Sequence, residues 1–281
     1  MTLGTTRRRV ATIALLTTSL AAACAPTPQV VWPSMSPVAS AAVEGPTAAA
    51  QRAWGAPSWS DEFSGSTLNP AWGVYDSPGH AGNGLRRPSQ VSVADGVMTQ
   101  TGTADTVSAG MMLQGNDARD GRWEVRARAE QDTASTGRAY HVVVALIPVG
   151  VPYNLGERDV DFLEGDIGEG VAAFFLHHPP NKQDYAIIPL DLTSWHTFAI
   201  EITQQHVTWF VDGRPVVTDR RQQAIPTTLL GLNIQLDANE STGMRAGRLQ
   251  VDWARYYPLP GGNVEAPAAP APSTGDYDPA S

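Results

Sequence analysis

The 281-residue sequence predicts an all-β fold in which two antiparallel sheets pack into a sandwich. Three observations lead to this prediction. Short apolar runs recur at intervals of roughly ten residues with turn residues between them, which is typical of sandwiches and barrels. Several runs alternate apolar and polar side chains, as half-buried strands do, and no segment keeps a convincing helical period. Eight Trp, seven Tyr and six Phe supply enough large side chains for a sizeable core.

The first predicted strands form a hairpin. In SQVSVADGVMTQTG (89–102), two short strands flank an Asp95-Gly96 turn, which is among the strongest local hairpin signals. Next, GRWEVRARAE (121–130) alternates apolar and charged residues, so we expect one buried face and one polar face. RAYHVVVALIP (138–148) is nearly all apolar or β-branched, which indicates a central strand covered on both faces.

Later segments continue the pattern. WHTFAIEITQQHVTWFVDGRPVV (195–217) predicts three strands separated by turns at 204–205 and 212–213. RLQVDWARYYP (248–258) alternates again and is predicted to be the closing strand.

The composition divides the chain into four parts. Residues 1–24 join three arginines to an apolar run with small residues toward its end, the pattern of a secretory signal peptide. Residues 25–58, rich in Ala, Pro, Ser and Thr, predict a flexible linker. Residues 59–258 are long enough for one domain, and 259–281 predict a disordered Pro/Ala-rich tail.

The signal segment ends at Cys24, the only cysteine of the chain. Its context SLAAAC resembles a bacterial lipobox, in which cleavage leaves a lipid-modified Cys at the mature N-terminus. We therefore expect an exported protein, extracellular or lipid-anchored through Cys24. The alternative is that Cys24 is an incidental residue that is lost on cleavage. A lone cysteine also excludes an internal disulfide.

The charge limits the possible partners. A net charge of −9 argues against nucleic acid, because few cationic side chains are available to neutralise phosphates. No run after residue 30 approaches the roughly 18 apolar residues of a membrane span, so we expect membrane contact only through the N-terminal lipid. We expect a monomer.

The segment GERDVDFLEGD (156–166) holds five acidic side chains within eleven residues. Side chains on a strand alternate between faces, so Asp159 and Asp161 share a face and Glu164 would point away. One extra residue at 162–163, a β-bulge, would bring all three carboxylates to one face. The cluster comprises Glu157, Asp159, Asp161, Glu164 and Asp166.

Three carboxylates on one face suit the hydrolysis of a glycosidic bond. One can act as nucleophile, one as general acid and then base, while a third between them tunes the first, because repulsion and burial separate their pKa values. Three other interpretations compete with this one: a calcium loop, which lacks the ligand spacing of an EF-hand, a solvated acidic strand edge, and a sugar groove without turnover.

DVDFLE (159–164) resembles the E-x-D-x-x-E signature of glycoside hydrolase family 16, whose fold is a concanavalin A-like jelly roll with a concave substrate face. Further landmarks over 59–258 are similar to the family in the same order, namely WSDEFSGSTLNPAW, DGRWEVRAR, EGVAAFFLHHP and VDWARYYP. The resemblance implies that Asp159 is the nucleophile, that Asp161 is its helper, and that Glu164 is the acid/base with His177 close by.

The sequence departs from the family pattern at two places. Asp159 stands where the nucleophile is usually Glu, and a side chain shorter by about 1.5 Å could move the carboxyl pair toward the spacing of inverting enzymes. Ile147 precedes Pro148 where the family usually has Trp, which removes a surface on which a sugar could stack. A second, unbulged register would instead use Glu157, Asp159 and Asp161.

Three more residues are candidates for substrate contact. Tyr140 and His141 enter the central strand and could line the cleft in place of the missing Trp, with core packing as the rival role, and Gln235 in NIQLD could contact a sugar. We expect no metal and no cofactor. The sequence thus predicts an exported glycoside hydrolase acting on internal bonds of a β-linked glucan or galactan. The alternative is a non-hydrolytic carbohydrate-binding protein of the cell envelope.

Overall fold

Two sheets pack face to face over one core, which confirms the predicted all-β sandwich. The computed structural model describes residues 45–150, 158–260 and 264–278. The predicted signal peptide and Cys24 lie outside these residues. In the part of the chain that is described, no helix is long and apolar enough to cross a membrane.

The elements follow one another with short connections. Two 3-10 turns, His80–Gly82 and Pro88–Gln90, interrupt the strands early in the domain. The remaining elements, in chain order, are α1 (Ala48–Gln51), β1 (Trp59–Asp61), β2 (Trp72–Val74), β3 (Ser77–Pro78), β4 (Leu85–Arg86), β5 (Val91–Ala94), β6 (Val97–Gly102), β7 (Val107–Leu113), β8 (Gly121–Gln131), β9 (His141–Pro148), β10 (Val160–Asp166), β11 (Val171–His178), β12 (Lys182–Pro189), β13 (His196–Ile202), β14 (Val207–Val211), β15 (Arg214–Asp219), β16 (Leu230–Asp237), β17 (Gly247–Tyr257) and β18 (Ser273–Asp276).

The strands divide into a larger and a smaller sheet. The larger sheet has the order β18-β12-β11-β10-β9-β16-β7-β4-β3, with β2 also paired to β7. The smaller sheet has the order β15-β14-β13-β8-β17-β6-β5, with β1 also paired to β17. Almost all pairs are antiparallel, and β4 beside β7 is a parallel exception. Asp161, Glu164 and Asp166 thus lie on β10, inside the larger sheet, and Asp159 directly precedes this strand.

Two predicted hairpin turns are confirmed. Asp95 and Gly96 have φ values of 51° and 75° between β5 and β6, and Asp212 and Gly213 have φ values of 48° and 75° between β14 and β15. Two successive left-handed residues are the mark of a type I′ turn, which suits the twist of paired strands. The Asp-Gly pairs therefore determine the register of these hairpins.

The predicted linker is wrong for residues 45–58, which pack on the smaller sheet. The Thr47 hydroxyl caps α1, and the Ala48 N–H donates to Glu124 Oε1 over 2.6 Å. The Trp54 ring packs edge-on against Phe210 and Tyr257, with centroids 5.6 Å from each. This segment covers part of the charged face of β8, and Glu124 is consequently 0% exposed rather than solvated. The packing of Trp54 therefore orders a segment whose composition predicts a flexible linker.

The predicted disordered tail is also wrong for residues 264–278. β18 pairs with β12, and Lys182 faces Asp276 in that register. Thr218 donates hydrogen bonds to the carbonyls of Pro267 and Pro270 over 3.1 and 2.9 Å. Proline lacks an N–H but keeps its carbonyl, so a Pro-rich segment can accept bonds along a sheet edge. Residues 264–278 are therefore ordered although their composition predicts disorder.

Candidate active site

β10 carries Asp161, Glu164 and Asp166, and its pairing contains the predicted bulge. On β11, Phe175 faces Asp161 and Ala173 faces Glu164, so three steps along β10 match two steps along β11. The pairing with β9 also shifts register, between Asp161 and Leu163. The extra residue returns Glu164 to the face of Asp161, which a regular strand would not do. The bulge is confirmed.

A groove lies over this face of the larger sheet and contains all three carboxylates. It encloses about 950 Å³. Its lining comes from β9, β10, β11, β12 and β16, together with the early loop around His80 and the end of the chain after β18. The lining residues include Tyr75, Arg86, His141, Ile147, Pro148, Asp159, Asp161, Glu164, Phe175, His177, Gln183, Asn233, Gln235, Asp237, Asp276, Tyr277 and Asp278.

The three carboxylates differ in their access to solvent. The Glu164 side chain is 22% exposed, whereas the Asp161 side chain is 6% exposed. Asp159 is also buried. Phe162 lies in the core beneath them and anchors the bulge. Glu164 is therefore the carboxyl best placed to exchange a proton with a leaving group or a water.

The bulge bears on the choice between the two registers. Asp159, Asp161 and Glu164 all line the groove, as the bulged register predicts. Glu157, which belongs to the unbulged alternative, lies outside the described residues. The geometry favours the bulged register.

Asp161 forms a buried pair with a histidine on the neighbouring strand. His177 Nε2 lies 3.2 Å from Asp161 Oδ2. Burial and the charge of Glu164 raise the pKa of Asp161 to about 6, although His177 opposes the shift. Burial alone would lower the pKa of His177, but its hydrogen bond to Asp161 and the nearby carboxylate charges together raise it. The resemblance placed His177 beside the acid/base; the structure places its ring nitrogen on the middle carboxylate instead.

His141 lines the groove as predicted and bridges two carboxylates. Its Nδ1 lies 2.7 Å from Asp166 Oδ1, and its Nε2 lies 3.5 Å from Glu164 Oε2. Burial alone would lower the pKa of His141, but the hydrogen bonds to Asp166 and Glu164 raise it to about 10. Asn239 also donates to Asp166 Oδ1 over 3.0 Å. His141 is thus a cation at neutral pH, positioned beside Glu164.

Tyr140 does not line the groove, so its predicted contact with substrate is wrong. The residue is 0% exposed and belongs to the core, and its hydroxyl donates to the Thr103 carbonyl over 2.5 Å. Its ring lies so close to Gly102 that a Cβ there would be 2.5 Å from the ring. Neighbouring residues of a strand face opposite ways, so His141 and Tyr140 cannot both enter the cleft.

β16 supplies a polar wall. Gln235 lines the groove as predicted, opposite Val143 of β9, and its contact with a sugar remains a prediction. Asn233 accepts a hydrogen bond from the Tyr75 hydroxyl. Burial raises the pKa of Tyr75 to about 12, so this hydroxyl stays protonated.

Arg86 is a groove residue that sequence reasoning missed. Its Nη2 lies 2.6 Å from Asp237 Oδ1, and its guanidinium lies over the Tyr75 ring at 5.5 Å from the centroid. Its position in a glycine-rich loop, HAGNGLRR, was the available signal. Arg86 is neutralised by Asp237 and does not leave a net positive site.

Tyr277 is a second residue that sequence reasoning missed, because it lies in the predicted tail. Its ring centroid is 4.0 Å from that of His177. Phe175 stacks with both His177 and Tyr185, at centroid distances of 5.8 and 6.2 Å. A lone aromatic in GDYDP, within a tail of small residues, was the signal that could have identified it.

The position of the missing Trp is occupied by small apolar groups. Ile147 and Pro148 line the groove at the end of β9. Among the residues that the structure describes, no group of three or more His, Cys, Asp and Glu side chains could hold a metal ion.

Comparison with known families gives one match. A model of the family described as "Glycosyl hydrolases family 16" matches residues 84–255. The match includes β10, β11 and β16 and ends within β17. A comparison with curated proteins gives no match.

Solved structures show the same fold at low sequence identity. The laminarinase catalytic domain from Thermotoga maritima is 18% identical with a TM-score of 0.61, covering 73% of this chain and 99% of that one. The laminarinase from Rhodothermus marinus is 21% identical with a TM-score of 0.57, covering 72% and 96%. The endo-β-1,3-glucanase from Pyrococcus furiosus is 18% identical with a TM-score of 0.59, covering 73% and 95%.

Proposed function

This chain belongs to glycosyl hydrolase family 16 and is a glycosidase, and from that premise we propose that it hydrolyses internal bonds of an uncharged β-linked glucan. The observation that carries the proposal is the bulge of β10, which places Asp159, Asp161 and Glu164 along one groove. An open groove admits a polysaccharide at any point along its length, so cleavage of internal bonds fits its shape.

Glu164 acts as the general acid and then as the base. Its side chain is the most exposed of the three carboxyls, so it can protonate the oxygen of the leaving sugar as the C–O bond breaks. His141 stands 3.5 Å from Glu164 Oε2 as a cation and balances the negative charge that Glu164 acquires when it gives up its proton. In the second step Glu164 takes a proton from the attacking water.

Asp159 acts as the nucleophile. Its carboxylate attacks the anomeric carbon and forms a glycosyl ester, which water then cleaves in the second step. Asp161 lies between the two and shares its environment with His177, so a proton on this pair can adjust the charge next to Asp159. If the shorter side chain leaves a wider gap, Asp159 instead acts as base for a water, and the products carry the inverted configuration.

The charge of the groove favours an uncharged substrate. Asp159, Asp161, Glu164 and Asp276 line it, and the guanidinium of Arg86 is already paired with Asp237. A glycan with sulfates or uronates would meet like charges, because Arg86 and His141, which line the groove as cations, are each beside carboxylates. The similar structures from Thermotoga maritima and Pyrococcus furiosus are a laminarinase and an endo-β-1,3-glucanase, so a β-1,3-glucan is the first substrate to test.

We also propose that the protein is exported and acts as a monomer outside the cytoplasm, attached by lipid on Cys24. The support is the arginine-led apolar segment and the SLAAAC sequence at its end. Mass spectrometry of the mature N-terminus should find a diacylglyceryl-modified Cys24. An unmodified N-terminus at another residue would reject the anchor, and a retained Met1 would reject export by this signal.

Incubation of the purified protein with a glycan panel tests the activity. Laminarin, mixed-linkage glucan, agar and galactan are compared by the reducing ends released, and Glu164→Gln is run beside the wild type. We expect release from laminarin that the variant lacks. Binding to a glycan without release from any of the panel would instead support the non-hydrolytic alternative, which the shortened Asp159 would explain.

A further inference from the structure

β18, the last strand among the described residues, extends the catalytic sheet. β18 lies beyond residues 84–255, the part that the family model matches, and pairs with β12. Gln183 of β12 faces both His177 of β11 and Gly275 of β18. Because side chains two residues apart on a strand share a face, Tyr277 follows Gly275 onto the groove side of the sheet.

Tyr277 is held in place by several contacts. Its N–H donates to the Asn181 carbonyl over 2.8 Å, which continues the pairing of β18 with β12. The neighbouring Asp276 forms an ion pair with Lys182. Its ring lies against the His177 ring at 4.0 Å with an interplanar angle of 48°. The same His177 holds Asp161, so only one side chain separates Tyr277 from the catalytic carboxylates.

The groove is chemically asymmetric, and Tyr277 completes its aromatic side. On β16 the wall is polar and includes Gln235 and Asn233. On β11 and directly after β18 it includes the rings of Phe175, His177 and Tyr277. Sugar-binding sites need both kinds of surface, because a pyranose ring has apolar C–H faces and a rim of hydroxyls. Tyrosine suits such a site, having an apolar ring and a polar tip.

We propose that Tyr277 is a substrate-contacting, specificity-determining residue, and that the ordered C-terminal segment 264–278 is a wall of the glycan groove. The inference rests on the proposed function and adds a residue to it. The ring packs on a sugar unit next to the scissile bond, on the β11 side of Glu164. It supplies from the end of the chain an aromatic surface of the kind that Ile147 cannot offer at the end of β9.

Two rival roles make different predictions. If Tyr277 only stabilised the fold, its ring would be buried, yet it is only partly buried and faces the groove. If the segment plugged the groove and inhibited the enzyme, removing the ring would raise the rate of hydrolysis. If the ring binds sugar, removing it weakens the glycan complex and leaves the chemical step nearly intact.

The test compares Tyr277→Ala, Tyr277→Phe and Lys182→Ala in the full chain. Steady-state hydrolysis of laminarin oligosaccharides gives KM and kcat, and calorimetry on a Glu164→Gln background gives the affinity without turnover. We expect Tyr277→Ala to raise KM and Kd by about 2-fold to 10-fold, the value of one aromatic contact, with kcat changed less. Tyr277→Phe should stay within about twofold, since it keeps the ring.

Lys182→Ala is the matched control, because it removes the ion pair to Asp276 but keeps the Tyr277 ring. Hydrogen exchange at residues 273–277 checks in each variant that β18 remains docked. An unchanged Kd in a Tyr277→Ala variant whose β18 remains docked would overturn the inference. A faster hydrolysis by Tyr277→Ala would also overturn it, and so would an equal loss of affinity in Lys182→Ala. If the wild-type protein binds glycan but does not hydrolyse it, the proposed hydrolysis is rejected. Weaker glycan binding by Tyr277→Ala would in that case still support the inference.

Discussion

His177 Nε2 lies 3.2 Å from Asp161 Oδ2, and neither side chain is more than 9% exposed. This pair is at the centre of the site. The neighbouring carboxylates Asp159 and Glu164 lie on the same groove, and Tyr277 covers the other side of the imidazole. A change at the pair should therefore affect the protonation of the whole site.

Replacing His177 should move the pH dependence of the reaction. Burial and Glu164 raise the pKa of Asp161 to about 6, and His177 counteracts them. His177→Asn removes that counteracting group, so the Asp161 pKa rises further. The limb of the kcat/KM profile that Asp161 governs, near pH 6 in the wild type, should shift to higher pH. His178→Asn, which alters a buried histidine paired with Asp184 outside the groove, should leave the limb in place. A limb that moves to lower pH would contradict this role.

The stabilisation that His141 gives to the folded protein should decrease as the pH rises. Its folded pKa of about 10 lies above the ordinary value of 6.5, so the folded state binds the proton more tightly than the unfolded state. The stabilisation is fully present below about pH 6.5 and is lost as the pH rises to about 10. Thermal denaturation between those pH values should show a falling Tm that is flatter in His141→Gln. Parallel curves for the two proteins would reject the charge on His141.

Lengthening Asp159 should increase turnover. A misplacement of about 1 Å can lower a rate by about 100-fold, and Asp159→Glu returns the missing methylene to the nucleophile. We expect a higher kcat on laminarin, by up to about 100-fold. Because Asp159 is buried, the added group could also cost about 1–3 kcal/mol of folding free energy, which denaturant unfolding would measure. A stable Asp159→Glu variant with lower kcat would show that the site is built for the shorter side chain.

The bulge depends on the packing of Phe162. This residue is 0% exposed and lies in the core beneath the three carboxylates. Phe162→Ala should lower the free energy of unfolding by about 3–5 kcal/mol, as expected for a buried Phe. Ile187→Ala on β12, where the side chain is 56% exposed, serves as control and should change it by less than about 0.5 kcal/mol. Equal losses in urea denaturation would contradict the anchoring role.

Local patterns predicted the strands and the catalytic bulge well. The Asp95-Gly96 and Asp212-Gly213 pairs are strong signals for a turn, because few residue pairs adopt two left-handed conformations in succession. The bulge followed from counting residues between Asp161 and Glu164. In each case the signal lies within a few residues of the feature that it predicts.

Packing between residues distant in sequence could not be predicted from such local patterns. Trp54 and Tyr277 lie in Ala- and Pro-rich segments whose composition indicates disorder, yet each packs on strands distant in sequence. Sequence context does not distinguish Tyr140 from His141, whereas the alternation along the strand places Tyr140 in the core and His141 in the groove. Such contacts depend on the assembled sheets.

The most direct measurement is the initial rate at which laminarin releases reducing ends with wild type, Glu164→Gln and Glu169→Gln. Glu169 is a matched control because it is exposed after β10 and does not line the groove. We predict that Glu164→Gln lowers kcat by about 100-fold to 10,000-fold while the protein stays folded, whereas Glu169→Gln keeps the wild-type rate. A folded Glu164→Gln variant that releases reducing ends as fast as the wild type would contradict the assignment of Glu164 and the mechanism built on it.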